Sequence, residues 1–169
     1  MRFALKAIDS ASHWVGLSAR WLALALVLVG AYDAIMRYVF SAATIWAYET
    51  SIMMGAVLYA LAFAYDHSHN FHIRIDIFYL RLSPRGRAIL DVVCFAIFFL
   101  PLMTLLSKNA VEWAYRGWAI SEVMVESYWY PPASPVRTAV ALGICLFTLQ
   151  GLAIFIRDLY LVIRGKPLD

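Results

Sequence analysis

Charge is what this chain has least of. Lys, Arg, Asp and Glu make up only 15% of its 169 residues, against roughly 25% in a soluble domain, while 63% are hydrophobic. With a mean hydropathy of +0.72, a water-solvated fold has no core large enough for four long apolar runs. That excludes a soluble enzyme and a disordered regulator. Cysteine is nearly absent too: Cys94 and Cys145 each sit inside a hydrophobic run. Two such residues make neither a secreted disulfide framework nor a metal spacing, and read as small buried apolar side chains. No G-x-S-x-G, glycine-rich phosphate loop, H-E-x-x-H or C-x-x-C occurs. The net charge of +3 is small and spread over the flanks of the runs, so nothing calls for a nucleic-acid partner.

What is present is a set of spans. About 20 apolar residues cross roughly 30 Å of hydrocarbon. Trp46–Tyr65 is such a run, interrupted only by Glu49; Ala88–Ser107 carries Asp91 and Pro101; Thr138–Ile156 has no charge. The first is less tidy, Trp14–Met36 or Trp21–Phe40. The expectation is an all-α integral membrane protein, one domain over residues 1–169, with four transmembrane helices near 14–36, 46–65, 88–107 and 138–156. A signal peptide fits poorly, because the first apolar region is too long and Asp33 to Arg37 is no small-residue cleavage site. Ser83-Pro84 and Ser134-Pro135 read as helix starts, each an N-cap hydroxyl followed by proline at the first helical position.

Basic residues orient the spans. With an even number of helices both termini share a side with the connection between helices two and three. That side holds Arg2, Lys6, Arg20, Arg74, Arg81, Arg85, Arg87, Arg157, Arg164 and Lys166; the other holds Arg37, Lys108, Arg116 and Arg137. The positive-inside bias puts both termini in the cytoplasm. Between helices two and three, His67–Arg87 is too apolar for a free loop: Phe71, Ile73, Ile75, Ile77 and Phe78 run among Arg74, Asp76 and Arg81. An interfacial amphipathic segment is expected there, apolar side to lipid and arginines to headgroups. On the other side Lys108–Ser134 carries Glu112, Glu122 and Glu126 among aromatics, and its first part is expected to extend the third helix.

Charges at membrane depth are costly and call for a reason. Asp33 and Arg37 lie four apart on one helix face and can pair; Glu49 starts the second helix at nearly the same depth. They read either as a proton or ion relay or as a structural cluster that fixes the hairpin or docks another subunit. The structural reading is favoured, because all three lie near an interface where water can help. Asp91 is expected to pair with Arg87 four residues before it. His67, His69 and His72 make H-x-H-x-x-H without a clear fourth ligand, and His13 stands apart. No span holds a histidine for haem, so interfacial polar residues are the expected role. Ala56, Ala60 and Ala64 form one close-packing stripe on the second helix, and Ser51 with Gly55 a second, which implies neighbours on two sides. Gln150 and Thr148 are the notable polar side chains deep in the fourth span. Four helices with no repeat and no polar midplane cluster are poor material for a substrate path, which points to an accessory subunit.

The chain resembles the small membrane subunit (DctQ-like small permease) of tripartite ATP-independent periplasmic (TRAP) transporters over nearly its whole length. The resemblance rests on Arg37-Tyr38-Val39-Phe40 followed by Trp46-Ala47-Tyr48-Glu49, on His72-Ile73-Arg74-Ile75-Asp76, and on Ser83-Pro84 with Arg85 and Arg87. Tyr48 departs from the small or acidic residue usual before Glu49. The stretch Glu126–Arg137, with Leu149-Gln150-Gly151, looks like the branch associated with carboxylate or mannitol/chloroaromatic uptake. The resemblance implies a bacterial inner-membrane importer of organic acids. In such a system a periplasmic solute-binding protein captures the solute and a large membrane subunit moves it by an elevator-like motion driven by a sodium gradient. It implies no cofactor or catalytic residue in this chain, ion sites on the large subunit, and a scaffold role here. Asp33, Arg37, Trp46 and Glu49 are then candidates for helix packing or subunit docking, and His72, Arg74 and Asp76 for orienting the interfacial segment. The rival reading is a membrane anchor of a respiratory redox enzyme, which calls for span histidines and a chromophore.

Overall fold

Nothing in the first dozen residues stops a helix: Gly and Pro are absent until Gly16, and Ala and Leu are good helix formers. In the computed structural model, which describes residues 2–42, 44–69 and 82–166, helix α1 accordingly runs over Arg2–Tyr38. That is 37 residues, about 55 Å, well beyond the expected span. Helix α2 covers Ile45–Ser68. Helix α3 is built of Pro84–Cys94, a π-helical turn Phe95–Phe99 and Leu100–Ala119, and α4 covers Ser134–Arg164. All four are long and apolar enough to cross a membrane. The described residues hold no strand, only an isolated bridge between Val123 and Pro132. The segment expected to lie in the interface, with His72, Arg74 and Asp76, falls outside the described residues.

Three local features follow from sequence chemistry. Ser83 caps α3 as expected, its hydroxyl accepting from the Gly86 N–H at 3.2 Å with Pro84 as the first helical residue. The corresponding expectation at Ser134 is corrected: Ala133 is the flanking residue and Ser134 is already helical, with no side-chain cap. The reason is the loop before it, which is docked through Ala133 N–H to the Glu122 carbonyl (2.9 Å) and Met124 N–H to the Pro131 carbonyl (2.8 Å). In the middle of α3, the ring of Pro101 presses on the carbonyl four residues back and offers no N–H. The preceding turn widens into the π-turn that absorbs both defects.

The helices form an open layer in the order α1, α2, α4, α3. Helices α1 and α2 are antiparallel, α2 and α4 parallel, and α4 and α3 antiparallel. Because Asp9 meets Arg157, α1 begins and α4 ends at the same end of the layer; we call it the terminal end and the opposite one the loop end. Close approach is made by glycine: a Cβ on Gly143 would run into the Ala60 carbonyl, and one on Gly151 into the Phe99 ring. Of the expected stripe Ala56, Ala60 and Ala64, the last two are buried, as small residues at a helix contact should be, whereas Ala56 is exposed beside a mid-layer cleft. Gly55 on the second stripe has nothing near it. Cys94 is exposed on α3, which corrects its expected burial; Cys145 is half-buried.

Candidate functional site

At the loop end, α1 and α2 are joined by a tight turn whose Ser41 takes a left-handed φ of 52°. Asp33 organises the turn. It receives Arg37 Nη2 at 2.8 Å, one helical turn along, and the Thr44 hydroxyl from across the hairpin. Thr44, which flanks α2, therefore spends its side chain on α1 instead of capping its own helix. Trp46 lies against Tyr32, ring centres 5.5 Å apart, and both remain partly exposed. The structure thus brings together Asp33 with Arg37 and sets Trp46 beside them.

Glu49 is not part of that network. It is 1% exposed and neither carboxylate oxygen has a hydrogen-bond partner. Since α2 and α4 run parallel with Ala60 beside Gly143, Glu49 comes level with the start of α4. It is therefore buried within the chain and not on its outer surface.

The same end holds a clamp that sequence reasoning did not single out. Arg137, in the first turn of α4, makes a two-pronged ion pair with Glu122 of the preceding loop and lies over the Trp113 ring, 4.4 Å from its centre. Planar guanidinium suits both contacts at once. Nearby, Trp118 Nε1 donates to the Thr138 hydroxyl at 2.8 Å. These bonds tie the helical extension of α3 to the start of α4, and Tyr128, Trp129 and Tyr130 project from the loop they enclose.

At the terminal end a second network was also missed. Gln150 is fully buried; its carbonyl oxygen accepts from Ser12 Oγ and its amide donates to Asp9 Oδ1, both at 2.9 Å. Arg157 pairs with both oxygens of Asp9. The signal was Gln150 itself: a polar side chain deep in a span needs partners, and Asp9 and Ser12 are the polar residues that α1 offers at that level. His13 does not stand apart as the sequence implied. Its ring lies 5.8 Å from Tyr65 and 5.9 Å from His69. His67 instead stacks on Phe99 at an interplanar angle of 8°. Among the described residues no group of three or more His, Cys, Asp or Glu is placed to hold a metal ion.

Mid-layer, an apolar cleft of about 450 Å³ lies between α2, α3 and α4, walled by Ala56, Tyr59, Phe63, Met103, Ile144 and Phe147 among others. It carries no charged group and is no place for an organic anion. The arrangement is therefore a polar fastening at each end of an apolar, open-faced layer, in the manner of a membrane component that works against something else.

Comparison with known families decides what that component is. The model of tripartite ATP-independent periplasmic transporters, DctQ component, matches residues 26–160, from the middle of α1 to near the end of α4. The chain belongs to the DctQ family. No curated protein matches it. A DctQ component is the small membrane subunit of a TRAP transporter, a multi-pass inner-membrane protein that works with a large membrane subunit and a binding protein, and the family is not one of enzymes.

Proposed function

We propose that this DctQ subunit is the static scaffold of a sodium-driven TRAP importer of organic acids, seated with both termini in the cytoplasm. The observation that carries the reading is the open layer. The most apolar stretch of α3 has no residue buried within the chain and that of α1 almost none, against about a quarter for α2 and α4. A helix pair left bare on both flanks supports a role in which a larger membrane subunit takes part of the exposed surface and lipid the rest. Solute and sodium sites then belong to the large subunit, with no cofactor expected here, and the apolar lining of the mid-layer cleft offers an organic anion no partner. The basic residues of the terminal end support the cytoplasmic placement. The loop end, with Tyr128, Trp129 and Glu126, then faces the solute-binding protein. Asp33, Arg37 and Trp46 shape the hairpin for docking, Glu49 packs it from within, and His72, Arg74 and Asp76 orient the interfacial segment.

The test is mild extraction of the tagged chain from its native membrane with mass spectrometry of what accompanies it. One large multi-span protein without haem absorbance is the expected result; soluble redox subunits or a chromophore would replace the reading with the respiratory anchor. Arg37→Ala and Glu49→Gln should each lower recovery of the large subunit or uptake of solute, and wild-type behaviour of both would remove these residues from the docking and packing roles.

A further inference from the structure

Where α1, the last residues of α2 and α4 meet, the layer opens into a cleft of about 410 Å³ lined by Asp9, Ser10, His13, Ser68, His69 and Arg157. Its chemistry is one-sided. The lining has one carboxylate, Asp9, and both of its oxygens are engaged: Oδ1 by Gln150 and Arg157, Oδ2 by Arg157. The rest of the wall is a guanidinium, two imidazoles and two hydroxyls. Arginine carries five N–H groups, of which two bonds are directed at Asp9. A cation entering here would meet Arg157 with the only acid already neutralised. An apolar chain would strip water from the guanidinium and the histidines without returning a hydrogen bond. An oxyanion with several acceptor oxygens fits, because the Ser10 hydroxyl of α1 and the Arg157 N–H groups of α4 line one wall, while Ser68 Oγ donates to the Tyr65 carbonyl at 2.7 Å and His69 Nδ1 lies 3.0 Å from the same oxygen.

Its level in the layer narrows the choice. The cleft sits at the end of α2, and Trp14, next to His13, turns outward with 69% of its surface exposed. Tryptophan in that situation marks the headgroup region of a bilayer. Basic pockets between membrane helices at this depth hold phosphate-bearing headgroups.

We propose that the cleft formed by Ser10, His13, Ser68, His69 and Arg157 binds a phosphate group, carried by an anionic phospholipid headgroup or free in solution. The site depends on α1, α2 and α4 of this chain alone, so its failure leaves the transporter reading untouched.

The full chain, purified in maltoside detergent, is unfolded by heat with three probes: dihexanoyl phosphatidylglycerol, inorganic phosphate, and dihexanoylglycerol, which lacks phosphate. Saturable stabilisation by phosphatidylglycerol and none by dihexanoylglycerol is expected. In the double variant Ser10→Ala with His13→Phe, where phenylalanine keeps the ring contacts with Tyr65 and His69, half-saturation should rise about tenfold. If the double variant does not fold, the exposed Ser10→Ala change alone carries the comparison, with a smaller shift of the same sign. Tighter binding of the lipid than of inorganic phosphate assigns the group to a headgroup; the reverse assigns it to free phosphate. Absence of stabilisation by both phosphate probes, or an unchanged response in the variants, overturns the site.

Discussion

Helix α4 carries an arginine near each end, and the two do the same thing by different routes. Arg137 reaches Glu122 only 15 residues back along the chain and is 13% exposed. Arg157 reaches Asp9 across 148 residues and is about a third exposed, with Gln150 bridging to the same carboxylate. The first clamp closes a loop onto the helix that follows it, so a local segment gains shape. The second draws the beginning of the chain onto its end and sets the register of α1 on α4. The difference teaches that α4 is the spine of the layer: remove it, and both Glu122 and Asp9 lose their arginine.

The sharpest way to break this comparison lies between the two arginines. Gly143→Leu puts a side chain into the Ala60 backbone and should cost about 3 kcal/mol or more by forcing α2 off α4. Thermal unfolding in detergent would show it as the largest drop in Tm, with both clamps loosened together. Next, Arg137→Met should cost about 2 kcal/mol, since it leaves Glu122 half-buried without its partner and uncovers Trp113. Arg157→Met should cost about 1 kcal/mol, because that pair is more open to water and Gln150 still serves Asp9. Equal losses in the two arginine variants would abolish the distinction between a sheltered local clamp and a wetter long-range one. Smallest of all and outside α4, Ser83→Ala removes one N-cap bond at the start of α3 and should lower stability by up to about 1 kcal/mol, seen as fraying of that helix by hydrogen exchange.

Much of this could be read from residues alone, where one element decides the matter. Four apolar runs gave four helices, Ser83-Pro84 gave a true cap, and Asp33 with Arg37 gave an ion pair because spacing of four on a helix puts them together. The DctQ resemblance read in the hairpin residues is matched by the family model over 26–160. What escaped depends on two elements at once. Asp9 and Ser12 precede the first apolar run and look like a polar leader until α4 is laid against them. Ser134 has the right residue type for a cap, yet the docked loop sets the helix start one residue earlier. The seat of the Phe99 ring likewise needed both helices, since it lies where Gly151 of α4 has no side chain.

The Asp9–Arg157 bond has a consequence for how the protein is made. A ribosome adds about 5–20 residues per second, so the 148 residues between the partners take roughly 7–30 s to emerge. Throughout that interval the acid of α1 has no Arg157 guanidinium to meet. A carboxylate in that state holds to the watery surface, which pins the start of α1 there and keeps the helix from sliding inward.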